Sequence, residues 1–477
     1  MNIAARKRLV SYKEYPFFYS VWFTVALSAF VFLFWFFDLG VYGLTALLVM
    51  GGIVIASCRD LTPVVPFSFV LVQVLSSTNH PPYALYLYIG GACAVFIGIA
   101  VHIIRFNPFK NYGKIKGFAV GTATAGLAIA LGGVTVANRS LYPALIVCAY
   151  GLAACGAGFF LVKTLGRDDT TRLSKTVVRA IIASSAIALL QLITLLIRSG
   201  DPIHAIANKY DLNAGYAHPN YLANIIARSI PVAVWLSVSN KRYSFLWLFA
   251  AFICGLGILA TSSRATLLVA LIISIICVIY YFPKLTYKIN WICSLCMIIG
   301  ITMVGLGFLG DKTEQLFATI FKFNFNSNGR IDLWKLALER FSQHPIFGVG
   351  FDYDLGGRTE LNPTNTPITP YWYHNTVMQL LCCTGIFGVI AFIPYFYHQY
   401  KSLILAKKQV TTALMFVLIT IQAISLLDVF FFTPQEFLQM IIITAVGVKF
   451  LPEDKGNSLI YDIKERISLK KIKKEAK

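Results

Sequence analysis

The sequence predicts an all-α protein that crosses a membrane many times, with about 12 to 14 transmembrane helices. Of its 477 residues, 57% are hydrophobic and only 13% are charged, and the mean hydropathy is +0.70. These values lie far outside the balance of an ordinary soluble domain. A hydrocarbon core about 30 Å thick requires roughly 20 apolar residues in a helix, and runs of about that length recur between Phe17 and Leu451.

The apolar runs number about fourteen. The first is long and aromatic and has no small-residue cleavage site, so we expect a retained helix rather than a signal peptide. The third contains proline and the last is short, which makes them the weakest spans. The runs lie near residues 17–37, 41–57, 62–77, 84–104, 117–137, 141–162, 177–197, 219–238, 243–260, 265–282, 290–309, 374–397, 410–432 and 434–450.

The formal net charge of +20 is distributed as membrane topology predicts. If residue 1 is cytoplasmic, the inner loops hold most of the lysines and arginines, which agrees with the positive-inside rule. We therefore expect both termini in the cytoplasm and a basic tail that faces anionic lipid rather than nucleic acid. The basic inner segments are 1–16, Arg59, 105–116, 163–179, Lys241 with Arg242, Lys284 with Lys288, 401–408 and the tail.

This topology divides the chain into five parts. Within the long external loop, Ile331, Trp334, Leu338 and Phe341 recur at helical spacing, which predicts an amphipathic helix on the outer surface. The motif "HPIFGVG" predicts a turn after that helix. The parts are N-terminal helices (1–212), helices with polar and arginine residues (213–309), the external loop (310–373), C-terminal helices (374–450) and the tail (451–477).

Cationic and imidazole side chains converge on the predicted outer face. A buried arginine is expensive in a bilayer and normally faces a bundle interior or a wet cavity, and Arg228 lies about 13 Å below His218 at helical rise. Guanidinium groups suit phosphate because they form bidentate, charge-assisted hydrogen bonds. Histidine supplies a base that titrates near physiological pH. The outer-face residues are His218, Asn220, Arg264, Arg330, His344, His374 and Asn375.

Several of these residues also have a structural interpretation. Arg264 fits an interfacial anchor that snorkels, and Asn375 fits a helix cap beside His374. His218 and His344 both precede proline, as turn residues often do. Two further patterns favour structural roles over metal binding: the "CSLC" at Cys293–Cys296 fits packing inside an apolar run, and Asp352 with Asp354 fits a polar loop.

The stretch "HNTVMQLLCCTGIFG" resembles the signature of the O-antigen ligase and polymerase superfamily. His374-Asn375 is followed by nine residues and then by Gly385-Ile386-Phe387-Gly388. "RATLL" at Arg264 resembles the Arg-x-x-x-Leu of that family, and "HPIFGVG" resembles the turn in its outer loop. The similarity extends over roughly 213–396.

The resemblance implies a GT-C-like membrane glycosyltransferase that needs no metal and no other cofactor. Its donor would be an undecaprenyl-diphosphate-linked glycan, and its acceptor would be lipid- or protein-linked, outside a bacterial cytoplasmic (inner) membrane. It implies that His374 is catalytic and that Arg264 and Arg330 hold the donor diphosphate. From its burial we add Arg228 to the diphosphate ligands. We expect Asn375, His218, Asn220 and His344 in supporting positions.

Three functions compete at this point. An O-antigen ligase and a polysaccharide polymerase would use the same site and differ in the acceptor. A lipid-linked oligosaccharide flippase would also suit about fourteen spans, but a transporter should carry polar residues near the midplane of both halves. This chain concentrates them on one face of its second half, which favours glycan transfer.

Overall fold

The computed structural model describes residues 15–77, 81–109, 117–135, 141–216, 218–285, 287–309, 330–351, 373–428 and 430–451. The regular secondary structure in these ranges consists of α-helices and short 3₁₀-helices, without a β-strand. The predicted all-α polytopic class is confirmed. The predicted tail beyond Leu451 and the Asp352–Asp354 pair lie outside the described residues.

The described helices follow the predicted apolar runs closely. We number the α-helices in chain order: α1 (Val21–Phe36), α2 (Gly40–Ser57), α3 (Val65–Val70), α4 (Ala84–Phe106), α5 (Gly117–Val134), α6 (Leu141–Thr164), α7 (Thr170–Arg198), α8 (Pro202–Ala207), α9 (Pro219–Ala227), α10 (Ser229–Ser239), α11 (Ser244–Ala260), α12 (Arg264–Tyr281), α13 (Lys288–Leu309), α14 (Arg330–Gln343), α15 (Thr376–Leu405), α16 (Gln409–Ser425) and α17 (Pro434–Phe450).

Among the described residues, 9 helices are long and apolar enough to cross a membrane. Shorter apolar helices occupy Val21–Phe36, Thr62–Val74, Lys288–Val304 and Gln409–Ser425. The joined helix α9–α10 is the most enclosed of the nine candidates, because 83% of its best window is buried. It therefore runs through the interior of the bundle.

Helix α9–α10 is interrupted at Arg228, and its sequence explains the break. Pro231 has no backbone N–H and cannot bond the carbonyl of Ala227 four residues earlier, so the regular ladder stops there. Arg228 itself keeps helical dihedral angles, with φ −63° and ψ −27°. The chain continues in the same direction past a local bend that carries an arginine.

The third predicted span is a broken helix, with α3 between 3₁₀ turns at Thr62–Val64 and Leu71–Val74. Such a segment frees backbone carbonyls, which must find other partners inside a bilayer. Gln439 Nε2 donates to Ser68 O at 3.0 Å, and Ser184 Oγ donates to Phe69 O at 3.1 Å. Polar side chains of α7 and α17 thus satisfy the broken helix.

Contacts between loops agree with the sides of the membrane that the charge pattern predicts for those loops. On the predicted inner side, Gly166 N donates to Asp60 Oδ1 at 3.0 Å. On the predicted outer side, Trp35 Nε1 donates to Ala214 O at 2.8 Å, and Ser262 Oγ donates to Ile206 O at 2.7 Å. Loops predicted to share a side therefore touch each other.

Candidate active site

His374 directly precedes the N-cap of α15, at the end of the bundle that is predicted to face outward. Its φ is +46°, in the left-handed region that non-glycine residues adopt at some cost. Asn375 is the N-cap: its Oδ1 accepts from Val377 N at 2.8 Å and from Met378 N at 3.1 Å. This cap fixes the start of α15, and it holds the preceding imidazole in a defined place.

The imidazole of His374 contacts a carboxylate that the sequence analysis did not identify. His374 Nδ1 lies 2.8 Å from Asp428 Oδ1, and the two side chains are 39% and 13% exposed. An ionised carboxylate only accepts hydrogen bonds, so a neutral imidazole beside it holds its proton on Nδ1 and its lone pair on Nε2. In that tautomer, Nε2 can accept a proton from another group.

Asp428 is held from a second side. Asn220 Nδ2 donates to Asp428 Oδ2 at 3.0 Å, so both carboxylate oxygens have partners. Asn220 belongs to α9, whereas Asp428 follows α16 and His374 precedes α15. Three separate parts of the chain therefore meet at one carboxylate.

Asp428 was missed because it falls inside the predicted span 410–432. Helix α16 ends at Ser425, so Asp428 lies in the connection to α17 rather than in a membrane helix. One signal was available: Asp428 is the single acidic residue between Glu360 and Glu436. An isolated acid at the outer end of an apolar run marks a functional candidate.

Arg330 reaches the region through the amphipathic helix α14, which the structure contains as predicted. Trp334 Nε1 donates to Tyr373 O at 3.0 Å, so α14 is docked on the residue that precedes His374. Arg330 begins α14 one turn before Trp334 and is partly exposed. Burial raises the pKa of the Tyr373 phenol well above its usual value, so the ring stays neutral beside the site.

Arg264 is exposed at the first position of α12. Helix α12 packs against α16, and at the other end of the two helices Tyr281 OH donates to Gln409 O at 3.3 Å. The helices have similar lengths, 18 and 17 residues. Arg264 therefore lies at the same end of the bundle as the connection that carries Asp428.

The two glycine motifs of the resemblance pack against each other. Helix α15 is interrupted at Gly385, with φ 62° and ψ −163°, which frees carbonyl groups on its preceding turn. Val349 N donates to Cys382 O at 2.8 Å, and Gly350 N donates to Cys383 O at 3.0 Å. In return, Ile386 N donates to Pro345 O at 2.9 Å. The "HPIFGVG" turn is thus inserted into the break of α15.

The remaining predicted residues lie elsewhere around this end of the bundle or below it. His218 is the N-cap of α9, where its Nδ1 accepts from Asn220 N at 3.3 Å. His344 is exposed at the opposite end of α14 from Arg330. Arg228 is buried and donates to Glu436 Oε1 and Gln439 Oε1. The ligand-binding and supporting roles given to these residues stay predictions.

Comparison with known proteins gives one match to a protein family. Residues 249–393 match the family model described as O-Antigen ligase. The resemblance to the O-antigen ligase superfamily is confirmed. No curated protein matches the chain. The match indicates a membrane enzyme of the glycosyltransferase type.

The matched O-antigen ligase segment contains only part of the site. Arg264, Arg330 and His374 lie within residues 249–393. Asn220 precedes the O-antigen ligase segment and Asp428 follows it. The fold thus brings residues from both sides of the O-antigen ligase segment to the candidate site.

Proposed function

We propose that the protein transfers a glycan from an undecaprenyl-diphosphate carrier to an acceptor on the outer face of the cytoplasmic membrane. The observation that carries the proposal is the contact of 2.8 Å between His374 Nδ1 and Asp428 Oδ1. It lies at the end of the bundle predicted to face outward, and its histidine belongs to the O-antigen ligase segment. A carboxylate-oriented imidazole is suited to remove a proton from an attacking hydroxyl.

The reaction follows from this geometry. His374 Nε2 takes the proton of the acceptor hydroxyl as its oxygen attacks the anomeric carbon of the donor sugar. The bond from that carbon to the phosphate oxygen breaks, and undecaprenyl diphosphate leaves with the electron pair. Asp428 stabilises the imidazolium that forms, because its negative charge faces the protonated Nδ1. Attack opposite the leaving group inverts the anomeric configuration.

The leaving group requires positive charge, which Arg264 and Arg330 supply in the proposal. Neither guanidinium is buried, so both can meet a diphosphate at the membrane surface. Bidentate hydrogen bonds from arginine match phosphate oxygens in geometry and charge. In this account the two arginines bind the donor diphosphate, and they stabilise it more strongly as negative charge develops on departure.

An apolar surface beside the site suits a lipid-linked donor. Ile331 and Leu338 on α14 are 51% and 47% exposed, and Ile346 and Phe347 on the following turn are also exposed. Apolar side chains of an amphipathic helix enter the interface between headgroups and acyl chains. The donor's isoprenoid chain would stay in the bilayer along this surface, while its diphosphate reaches the arginines.

Ligase and polymerase activities share this chemistry and differ in the acceptor. A ligase would use a hydroxyl of a lipid or protein acceptor. A polymerase would use the growing or incoming lipid-linked repeat. Transfer to one class of acceptor and not to the other would distinguish the two activities.

The direct test measures transfer by purified protein in nanodiscs with a fluorescent undecaprenyl-diphosphate oligosaccharide. We expect acceptor-dependent release of the glycan by the wild type and by His204→Gln, the matched control at an exposed imidazole on the same predicted side of the bundle. His374→Gln should lower kcat by about 10² to 10⁴, the usual contribution of a general base. Full transfer by His374→Gln would contradict the mechanism. Movement of the intact lipid across vesicles, without transfer to any acceptor, would indicate a flippase.

A further inference from the structure

Two sets of polar contacts join α9–α10 to the chain segment that carries Asp428. At the outer end, Asn220 Nδ2 donates to Asp428 Oδ2 at 3.0 Å. Deeper in the bundle, Arg228 donates from Nη2 to Glu436 Oε1 and from Nη1 to Gln439 Oε1. The side chains of Arg228 and Glu436 are 3% and 0% exposed, so the lower contact is fully buried.

The two contacts lie well apart along α9–α10. Asn220 and Arg228 are eight residues apart, and eight residues of helix rise about 12 Å. On the other segment, Asp428 lies in the connection before α17 and Glu436 in the first turn of α17. Between the two contacts, the rings of Tyr221 and Phe430 pack with their centroids 5.1 Å apart. With a single contact, one segment could still rotate about that contact. Two contacts this far apart also restrict the tilt of one segment against the other.

Of the two contacts, the buried one between Arg228 and Glu436 restricts the relative position of the two segments more strongly. An ionised side chain without its partner is very unfavourable in apolar surroundings, so a buried pair strongly favours the geometry in which both members meet. Gln439 extends the contact, because its Nε2 donates to Ser68 O at 3.0 Å while its Oε1 accepts from Arg228. The pair thereby ties α10 and α17 to the broken helix as well.

We propose that Arg228 and Glu436 are positioning residues for glycan transfer, whose ion pair holds Asp428 in place against His374 Nδ1. This inference rests on the proposed role of His374 as the base. Arg228 then acts through Glu436 and the start of α17, and not through contact with the donor diphosphate. Neither Arg228 nor Glu436 belongs to the O-antigen ligase segment.

The test reads the state of the His374 imidazole directly. Solid-state ¹⁵N spectra of histidine-labelled protein in lipid vesicles distinguish a protonated Nδ1 from a protonated Nε2, and the His374 signals are assigned by their loss in His374→Gln. The wild type should show one Nδ1-protonated signal. Glu436→Gln and Arg228→Met should replace it by a mixture of tautomers. Both should lower kcat by about 100-fold, as for a small misplacement of reacting groups, with the KM for the donor unchanged.

A neighbouring residue provides the matched control. Gln435 is also on α17, but its Nε2 donates to Phe69 O at 3.2 Å, which joins α17 to the broken helix rather than to α10. Gln435→Ala should keep the single His374 signal. The exchange of Arg228→Glu with Glu436→Arg in one chain restores a buried pair, and we expect it to recover the single signal and most of kcat.

The outcomes separate the two proposals. An unchanged His374 signal in folded Glu436→Gln would overturn the positioning role, whatever happens to transfer. An equal change of the His374 signal in Gln435→Ala would overturn it too, because the effect would then not be specific to the Arg228–Glu436 pair. Loss of the single signal in Glu436→Gln with full transfer would support the positioning role and contradict the proposed function of His374.

Discussion

The carboxylate of Asp428 accepts hydrogen bonds on both oxygens, one from an imidazole and one from an amide. This pair of contacts selects the tautomer of His374, because a carboxylate cannot donate to Nδ1. The left-handed backbone of His374, with φ +46°, adds a local cost that a purely structural helix start would avoid by using glycine or asparagine. The cost is understandable if the imidazole must point away from α15 toward Asp428.

Asp428→Asn should leave the fold intact and remove most of the activity. The amide can donate to Nδ1 and so favour the tautomer whose Nε2 is protonated, which cannot act as a base. We expect kcat to fall by about 10² to 10⁴, with the KM for the donor unchanged, in steady-state assays in nanodiscs. Asn220→Ala removes only the second contact to Asp428 and should lower kcat less than tenfold. Equal kcat for Asp428→Asn and wild type would refute the role of the carboxylate.

Some residues of the candidate site could be predicted from the sequence, because they stand at the ends of apolar runs. His374 and Asn220 stand at the outer ends of apolar runs, and the structure brings both to Asp428. The two acids were missed because a hydropathy window averages them into their apolar neighbours. The expected burial of Arg228 was correct, but its partner Glu436 lies on a distant helix, and sequence spacing carries no information about such a contact.

Among the helices, the break in α15 has the largest effect on the candidate site, because it determines where α14 docks. A continuous helix would bond the carbonyls of Cys382 and Cys383 internally, whereas the break offers them to Val349 and Gly350. The turn after α14 and the break in α15 exchange backbone hydrogen bonds in this way. These bonds hold α14, which begins with Arg330, at a fixed distance from the start of α15. The Gly385–Gly388 motif in the sequence therefore corresponds to the place where the turn after α14 docks on α15.

Gly385→Ala should disrupt that contact. The new Cβ would lie 2.4 Å from Ile346 O at a residue whose φ is +62°, so either the turn or the helix must shift. We expect a loss of about 1 to 3 kcal/mol of stability and a clear fall in transfer. Gly156→Ala on α6 is the control, because nothing lies within 4 Å of the added Cβ and alanine favours helices. Thermal unfolding in detergent that shows the same midpoint for both variants would contradict this account of the break.

Helices were the most predictable elements, because each apolar run must satisfy its backbone internally in a bilayer. The broken third span shows the limit of that argument. Pro63 and Pro66 announce an interruption, but the glutamines that satisfy the freed carbonyls, Gln435 and Gln439, lie more than 360 residues away in the chain. Local sequence cannot reveal partners at that separation.

The whole molecule places its chemistry on one side. Most lysines and arginines lie in segments predicted on the opposite side, in agreement with the positive-inside rule, and loops predicted to share a side contact each other in the structure. In the connection between α7 and α9, Ala214 O accepts a hydrogen bond of 2.8 Å from Trp35 Nε1 in the last turn of α1. The candidate site thus follows a loop that is fixed against its neighbours at the same end of the bundle.

Fusion reporters test this sidedness. Alkaline phosphatase fused after Ile206 should be active, because we predict that loop outside the cytoplasm, and phosphatase fused after Lys284 should be inactive. Green fluorescent protein should show the reverse pattern at the same two positions. Phosphatase activity at Lys284 without activity at Ile206 would invert the topology, and it would place His374 in the cytoplasm, where the proposed reaction could not occur.

The most direct test of the central claim is a cryo-EM structure of the protein in nanodiscs with a non-transferable phosphonate analogue of the undecaprenyl-diphosphate glycan. We predict that the diphosphate lies against Arg264 and Arg330, with the anomeric carbon facing a space in which an acceptor hydroxyl can reach His374 Nε2. We also predict that Asp428 remains on Nδ1. An analogue bound at the inner side, or one whose sugar lies beyond the reach of His374, would contradict the account.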